Sequence, residues 1–284
     1  MKTILVITNT VKDPDNKFTD SLCEKIEKRG HRAIKPIRES ADGRQLKMPE
    51  NEKADYCIVL GGDGTMLKAA RDTLGMDIPM LGINLGTLGF LADVEMDKVD
   101  AALDRVFAGD YIIQERMMID GELIRKDETI RLLPALNDIT VTRKGPLRII
   151  RFNIYVNGQQ LCRLSADGVI IATPTGSTGY NMSAGGPIVQ PGTQLMVITP
   201  ICAHGNNMRP VVIGAGDTVE IEIEPGSDGS GLPVEVYVDG SGRYDMDGGD
   251  RIRIGQSEYH TKLMRMNRLS FLETLNRKLG SVNM

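Results

Sequence analysis

The sequence predicts an α/β amino-terminal domain built on a mainly parallel, open sheet, followed by an all-β carboxyl-terminal domain. Three observations carry this. Over the first hundred residues or so, short apolar runs alternate with stretches of helical spacing. From about Ile112 the texture changes to alternating β-type segments punctuated by turn dipeptides. Helical periodicity returns only at the end, and since the β half offers that helix no helical neighbours, it is expected to pack back on the first domain. The first domain is then discontinuous, residues 1–110 plus 266–284, and residues 111–265 form the second.

Ile4 to Ile7 reads as a buried strand. Between about Lys17 and Lys28, Phe18, Leu22 and Ile26 recur at four-residue spacing and define an apolar helix face, with Gly30 as the stop. Tyr56 to Leu60 is a second strand, running directly into Gly61-Gly62-Asp63-Gly64-Thr65. Met66, Leu67, Ala69, Ala70 and Leu74 then mark a helix ending at Gly75, and Pro79 to Asn84 is a third strand. In the second half, Asp120-Gly121 and Asn157-Gly158 both have the chemistry of two-residue hairpin turns, the latter flanked by Phe152 to Val156 and Gln160 to Leu164. Val219 to Ile223 and Val234 to Val238 keep strict alternation. The last helix begins near Ser270, with Glu273 completing a capping box, and carries Phe271, Leu272, Leu275 and Leu279 before Gly280.

Composition narrows the function. With 284 residues the chain can bury a substantial core without staples. Its net charge of -4 lacks the broad positive field that nucleic acid or an anionic membrane requires, so any phosphate is held locally and neither is an expected partner. Cys23, Cys57, Cys162 and Cys202 are scattered, which fits neither a disulfide framework nor a zinc site and suggests reduced, mostly buried thiols. His31, His204 and His260 are too far apart in sequence for metal spacing. The run Ile4 to Ile7 is too short for a signal-peptide core and no run approaches a membrane span, so the cytoplasm is the expected compartment.

Two constellations carry chemistry. A glycine-rich turn between the strand ending at Leu60 and the following helix puts flexible backbone, the unpaired N–H groups of a helix start and a carboxylate where open α/β sheets bind ligands. Gly61, Gly62 and Thr65 are its phosphate-binding candidates, the other reading being a tight structural turn. A carboxylate beside phosphate would repel it unless it meets a metal ion or accepts a proton, and phosphoryl transfer asks of a base only that it orient a hydroxyl and take its proton late. Asp63 fits that role; it also fits a helix N-cap, and the two are compatible. The second constellation, Asp167 to Pro187, delivers small hydroxyl residues and glycines after a buried strand, with Tyr180 as an aromatic face for a base. Taken as composition, it could equally be an exposed loop. No lysine follows a glycine in Walker fashion, and the turn after the first strand, Thr8-Asn9-Thr10, lacks the dinucleotide-fold glycines, which argues against hydride transfer.

Gly61-Gly62-Asp63-Gly64-Thr65, Asn84-Leu85-Gly86-Thr87-Leu88-Gly89-Phe90-Leu91, Asn137-Asp138 and Thr173-Pro174-Thr175-Gly176-Ser177-Thr178-Gly179-Tyr180 together closely resemble the bacterial and archaeal NAD kinase family, in content and order. The first block is shared with diacylglycerol and sphingosine kinases; the last separates the chain from them. The resemblance implies an α/β domain that binds nucleotide phosphates, a β-rich domain that binds NAD, an NAD site between them, and a homodimer or homotetramer. It implies transfer of a phosphoryl group from ATP or another donor to NAD, with a divalent cation, Mg²⁺ being the expected one. By the same resemblance Asp63 is the proton acceptor for the ribose 2′-hydroxyl with Gly64 beside it, Lys68 is a basic residue near the phosphates, and Asn137 and Asp138 contact the adenosine and ribose groups. Asp167, Thr178, Gly179, Tyr180, Asn181 and Ser183 match further NAD contacts, and Arg148 aligns loosely with a basic ribose or phosphate contact. Read without it, Lys68 is a helix surface residue and Asn137-Asp138 and Asp167 are turns. Three positions depart from the family: Gly179 stands for the usual alanine, Ser165-Ala166 for an Arg-Ser pair, and Ser241 for a glutamine seen in some members.

Overall fold

A computed structural model describes residues 1–38, 46–47, 52–86, 89–145, 149–205, 208–225, 233–266 and 270–280. The chain divides into two units, Met1–Glu115 with Thr261–Met284, and Arg116–His260.

The first unit is α/β. Its strands lie in the order Arg32–Ile34, Thr3–Thr8, Tyr56–Leu60 and Met80–Asn84, all parallel, and Leu263 near the end of strand Arg251–Arg265 pairs in parallel with Met80. Parallel strands covered on both faces read as continuous apolar runs, and all five residues of Met80–Asn84 are buried. Helices Lys17–Glu27, Asp63–Asp72, Val99–Ala108 and Phe271–Gly280 belong to this unit. Leu22, Ile26, Ile58, Ile83 and Leu103 are fully buried in one core cluster, each contributing roughly 1.5–3 kcal/mol of burial.

Two local features differ from expectation. Phe18 is 39% exposed, and Thr19 turns inward with Leu22 and Ile26 instead. Asp13 explains the choice: its carboxylate accepts from the Thr19 hydroxyl at 2.6 Å and from the Phe18 and Thr19 backbone N–H groups, satisfying a helix start that Asn16 does not cap. The helix Val99–Ala108 has no counterpart in the sequence reading. At the last helix the capping box forms in both directions, Ser270 N–H donating to Glu273 Oε2 at 2.7 Å and Glu273 N–H to Ser270 Oγ at 3.2 Å.

The second unit is β throughout. One antiparallel sheet runs Val211–Gly214, Leu195–Ile201, Gly168–Ala172, Asp138–Arg143, Val234–Val238, Gly242–Met246. A second sets Gln159–Ala166, Ile150–Val156, Val219–Ile223 and the first part of Arg251–Arg265 side by side. Inward residues of both, among them Ile139, Val169, Phe152, Ile221 and Ile254, share one core. Asn157 and Gly158 take φ of 51° and 77°, the paired positive values of a tight hairpin. Asp120-Gly121 makes no turn. Strand Ile112–Ile124 passes straight through it, and the reversal falls at Arg125 to Glu128. Gly121 serves close approach, since a β-carbon there would stand 3.2 Å from the Arg253 carbonyl oxygen. All four cysteines are free, with Cys202 exposed and Cys57 alone fully buried. Among the described residues no helix is long and apolar enough to cross a membrane.

Candidate functional site

The apolar strand Tyr56–Leu60 ends at Gly61, and the helix Asp63–Asp72 begins two residues later with Gly62 as its N-cap. Gly61 has no room for a side chain, because a β-carbon would lie 2.3 Å from Thr65 Oγ1, which accepts a hydrogen bond from Asn9 Nδ2 at 3.1 Å. Gly64 is open. Asp63 is the first helical residue and does not cap its own helix. Its carboxylate turns to the loop after strand Met80–Asn84, accepting from Phe90 N–H at 2.7 Å, Leu91 N–H at 3.0 Å and Ala92 N–H at 3.4 Å. Hydrogen bonds of backbone amides to an ionised carboxylate are worth roughly 1.5–3 kcal/mol each, so the group is fixed in orientation. Gly89 makes this approach possible: a β-carbon there would fall 1.7 Å from Asp63 Oδ1. Thr87 and Leu88 of the same loop lie outside the described residues, as does Arg148.

Lys12, in the turn after the first strand, is an addition that sequence reasoning missed. Its Nζ stands 3.9 Å from the β-carbon position of Gly62 and 3.2 Å from that of Gly86, bringing a cation to two glycine loops at once. Among the described residues no carboxylate pairs with it. Lys68 lies one turn beyond Gly64 on the helix and is half-buried.

The β unit builds a second constellation. Strand Gly168–Ala172 leads into Thr173, a short turn Gly176–Thr178 and the single-turn helix Tyr180–Ser183. This is no exposed loop, because Thr173, Thr175, Ser177 and Asn181 are all buried. Thr173 N–H donates to the Asn137 carbonyl at 2.8 Å and its hydroxyl to the Leu136 carbonyl at 2.6 Å, joining the segment to Asn137-Asp138. Gly176 presses so close that a β-carbon would lie 2.1 Å from the Asn137 oxygen. At Gly179 φ is negative, at -96°, and an alanine methyl would stand 3.3 Å from the Gly176 oxygen, so the departure from alanine relaxes a tight contact. Tyr180 is 48% exposed and Ser183 is exposed. Asn181 spends both amide hydrogens on the Ser177 and Pro187 carbonyls and accepts from the Thr199 hydroxyl, so its side chain organises the loop from within.

A second carboxylate is also held by amides. Asp239, at φ 48°, accepts from Leu136, Asn137 and Asp138 N–H at 3.0, 2.7 and 3.2 Å. Beside it, burial and then the Asp239 charge push the Asp138 carboxyl up to about 7, against one stabilising bond from the Thr140 hydroxyl. Asp167 pairs with Arg143 Nε at 2.9 Å. Arg143 gives no signal in sequence beyond its residue type, and Asp239 reads there only as part of the turn Asp239-Gly240-Ser241. Among the described residues no three His, Cys, Asp or Glu side chains cluster to hold a metal.

A parallel α/β unit with a glycine turn and an oriented carboxylate at the end of a strand, joined in one chain to a β unit bearing a buried hydroxyl-rich loop, defines a nucleotide-dependent phosphotransferase. Residues 7–111 match the family model of the ATP-NAD kinase N-terminal domain, and residues 136–266 that of the ATP-NAD kinase C-terminal domain. The chain belongs to the NAD kinase family. It is 41% identical over 283 residues to the NAD kinase of Lachnoclostridium phytofermentans, covering 99% of each chain. Against the NAD kinase of Natranaerobius thermophilus it is 44% identical over 229 residues, 80% of this chain and 78% of that one. Among solved structures, yeast NADH kinase complexed with NADH superposes with a TM-score of 0.84 at 25% identity, covering 100% of this chain and 89% of that one. An NAD kinase from Archaeoglobus fulgidus in complex with ATP gives 0.76 at 24% identity, covering 98% and 99%, and shares the fold.

Proposed function

We propose that the chain transfers the terminal phosphoryl group of ATP, or of another donor, to the 2′-hydroxyl of the adenosine ribose of NAD, giving NADP. The observation that carries this reading is the Asp63 carboxylate, fixed by three backbone N–H groups at the carboxyl end of a parallel strand. In the reaction the 2′-hydroxyl oxygen bonds to the terminal phosphorus while the bond to the bridging oxygen of the donor breaks, and the hydroxyl proton passes to Asp63; ADP leaves. Fixing the base beforehand serves this step, because a loose transition state gains more from orientation than from basicity.

Gly61, Gly62, Thr65, Lys68 and Lys12 would receive the donor phosphates, the glycines by backbone approach and the lysines as point charges. Gly64, Asn137, Asp138, Asp167, Thr178, Gly179, Tyr180 and Ser183 would contact NAD, with the exposed Tyr180 ring available to stack on a base. Asn181 would shape that loop. A divalent cation, expected to be Mg²⁺, would arrive on the triphosphate and supply charge neutralisation. Free thiols at all four cysteines support a reducing compartment such as the cytoplasm, and a homodimer or homotetramer is the family's usual assembly.

The test is NADP formation from NAD, ATP and Mg²⁺, followed with an NADP-specific coupled dehydrogenase, with D63N purified identically as the contamination control. Wild-type turnover that the variant lacks, while the variant still binds NAD, is the expected result; near-normal turnover by D63N removes Asp63 from the mechanism.

A further inference from the structure

The 90–92 loop that grips Asp63 is itself gripped from behind. Arg265, near the end of strand Arg251–Arg265 and two hundred residues from Asp63, donates from Nη2 to the Phe90 carbonyl at 2.9 Å and from Nη1 to the Leu91 carbonyl at 3.1 Å. These carbonyls belong to the same two peptide units whose N–H ends, on Leu91 and Ala92, point at Asp63 Oδ1. A cation at the oxygen ends and a carboxylate at the N–H ends of two consecutive peptide dipoles hold each other's geometry, each polarising the bond the other uses.

The arginine is secured in turn. Its side chain is 11% exposed, its Nε donates to Gln114 Oε1 at 3.2 Å, and Asp93 stands 3.8 Å from Nη1. Asp93 also accepts from Met266 N–H at 2.6 Å, tying the residue after Arg265 to the same loop. Burial lowers the proton affinity of the guanidinium, while the charges of Asp93 and Asp63 raise it. From the last helix, Lys278 Nζ stands 4.6 Å from the centre of the Phe90 ring.

We propose that Arg265 is a positioning residue for phosphoryl transfer: by holding the Phe90 and Leu91 carbonyls it sets the amides that orient the Asp63 carboxylate. This rests on the reading of Asp63 as the base. A planar fork is required, because a lysine ammonium can replace the charge but not the paired geometry across successive carbonyls.

The experiment compares R265Q and R265K with wild type in the NADP-forming assay, and follows hydrogen exchange in peptides covering residues 89–93, with the strand Tyr56–Leu60 as the internal reference. Misplacing a catalytic group by an ångström costs on the order of 100-fold, so R265Q should lower kcat by about that factor with KM for NAD and ATP little changed. The 89–93 amides should exchange faster while Tyr56–Leu60 keeps its protection, and R265K should recover part of both. Should R265Q not fold, R265K carries the same two readouts. Normal kcat in either folded variant despite a loosened loop overturns the proposal, as does lowered kcat with loop protection unchanged. Loss of protection at Tyr56–Leu60 in both variants also overturns it, since the arginine then serves the fold. D63N run alongside separates this from the base assignment: an active D63N refutes the base, whereas an inactive D63N with fully active R265Q refutes only the arginine's role.

Discussion

Replacing Asp138 by asparagine should make the protein more stable, increasingly so as pH rises. The carboxyl is 6% exposed, beside the Asp239 carboxylate, and its pKa is pushed from the ordinary 3.8 to about 7. A group with a raised folded-state pKa contributes stability that is fully present below the unfolded value and lost as pH climbs to the folded one. The interval is about 3 pH units at ~1.4 kcal/mol each, so roughly 4 kcal/mol disappears between about pH 4 and pH 7 and the curve is flat above. At pH 5 somewhat less than half of it is already gone. D138N keeps an oxygen for the Thr140 hydroxyl and carries no charge, so its gain over wild type should be larger at pH 8 than at pH 5 by about 2–3 kcal/mol. Urea unfolding followed by far-ultraviolet circular dichroism at the two pH values measures the difference, and carboxylates distant from Asp138 cancel in the subtraction. A gap between variant and wild type that does not change with pH would refute the reasoning. A raised pKa also means that near neutrality Asp138 can donate a hydrogen bond as well as accept one, a flexibility suited to a ribose hydroxyl.

Two further substitutions probe the α/β unit. G89A places a methyl carbon where Asp63 Oδ1 now lies, 1.7 Å away, and should lower kcat by on the order of 100-fold while NAD affinity, measured by equilibrium dialysis, stays near the wild-type value; turnover near normal would show that the amide grip is dispensable. K12M removes the cation near Gly62 and Gly86 and should raise KM for ATP by about 10-fold, a loss of ~1.4 kcal/mol, with KM for NAD unchanged; an unchanged ATP dependence would take Lys12 out of the donor site.

Much of the architecture was legible because it depends on local side-chain pattern. The continuous apolar runs of Thr3–Thr8, Tyr56–Leu60 and Met80–Asn84 announce parallel strands, and the alternation in Val219–Ile223 announces a one-sided β-strand. What failed is where one local pattern serves two ends. Asp120-Gly121 and Asn157-Gly158 have nearly the same turn chemistry, yet only the second is a turn; the first lies inside a strand that pairs with Arg251–Arg265, a partner no short-range reading contains. The passage from one unit to the other falls inside the strands Ile112–Ile124 and Arg251–Arg265, where the alternation continues without a break in composition.

The site divides along the same line. Asp63 stands out in sequence because a carboxylate in a glycine turn is chemically conspicuous, but what orients it is backbone from Phe90, Leu91 and Ala92, whose side chains say nothing about hydrogen bonding. Asp239 repeats the arrangement, drawing Leu136, Asn137 and Asp138 amides to one carboxylate. In both places an acidic side chain fixes a loop through peptide N–H groups, and at Asp63 a glycine, Gly89, clears space for the approach. An amide donor is supplied by any residue except proline, so these grips constrain the chain through its glycines and acids and leave the donor positions free in residue type. The consequence is that a substitution at Phe90 or Leu91 that preserves the loop should disturb the orientation of Asp63 far less than one at Gly89 or Arg265, although Phe90 and Leu91 supply the donors themselves.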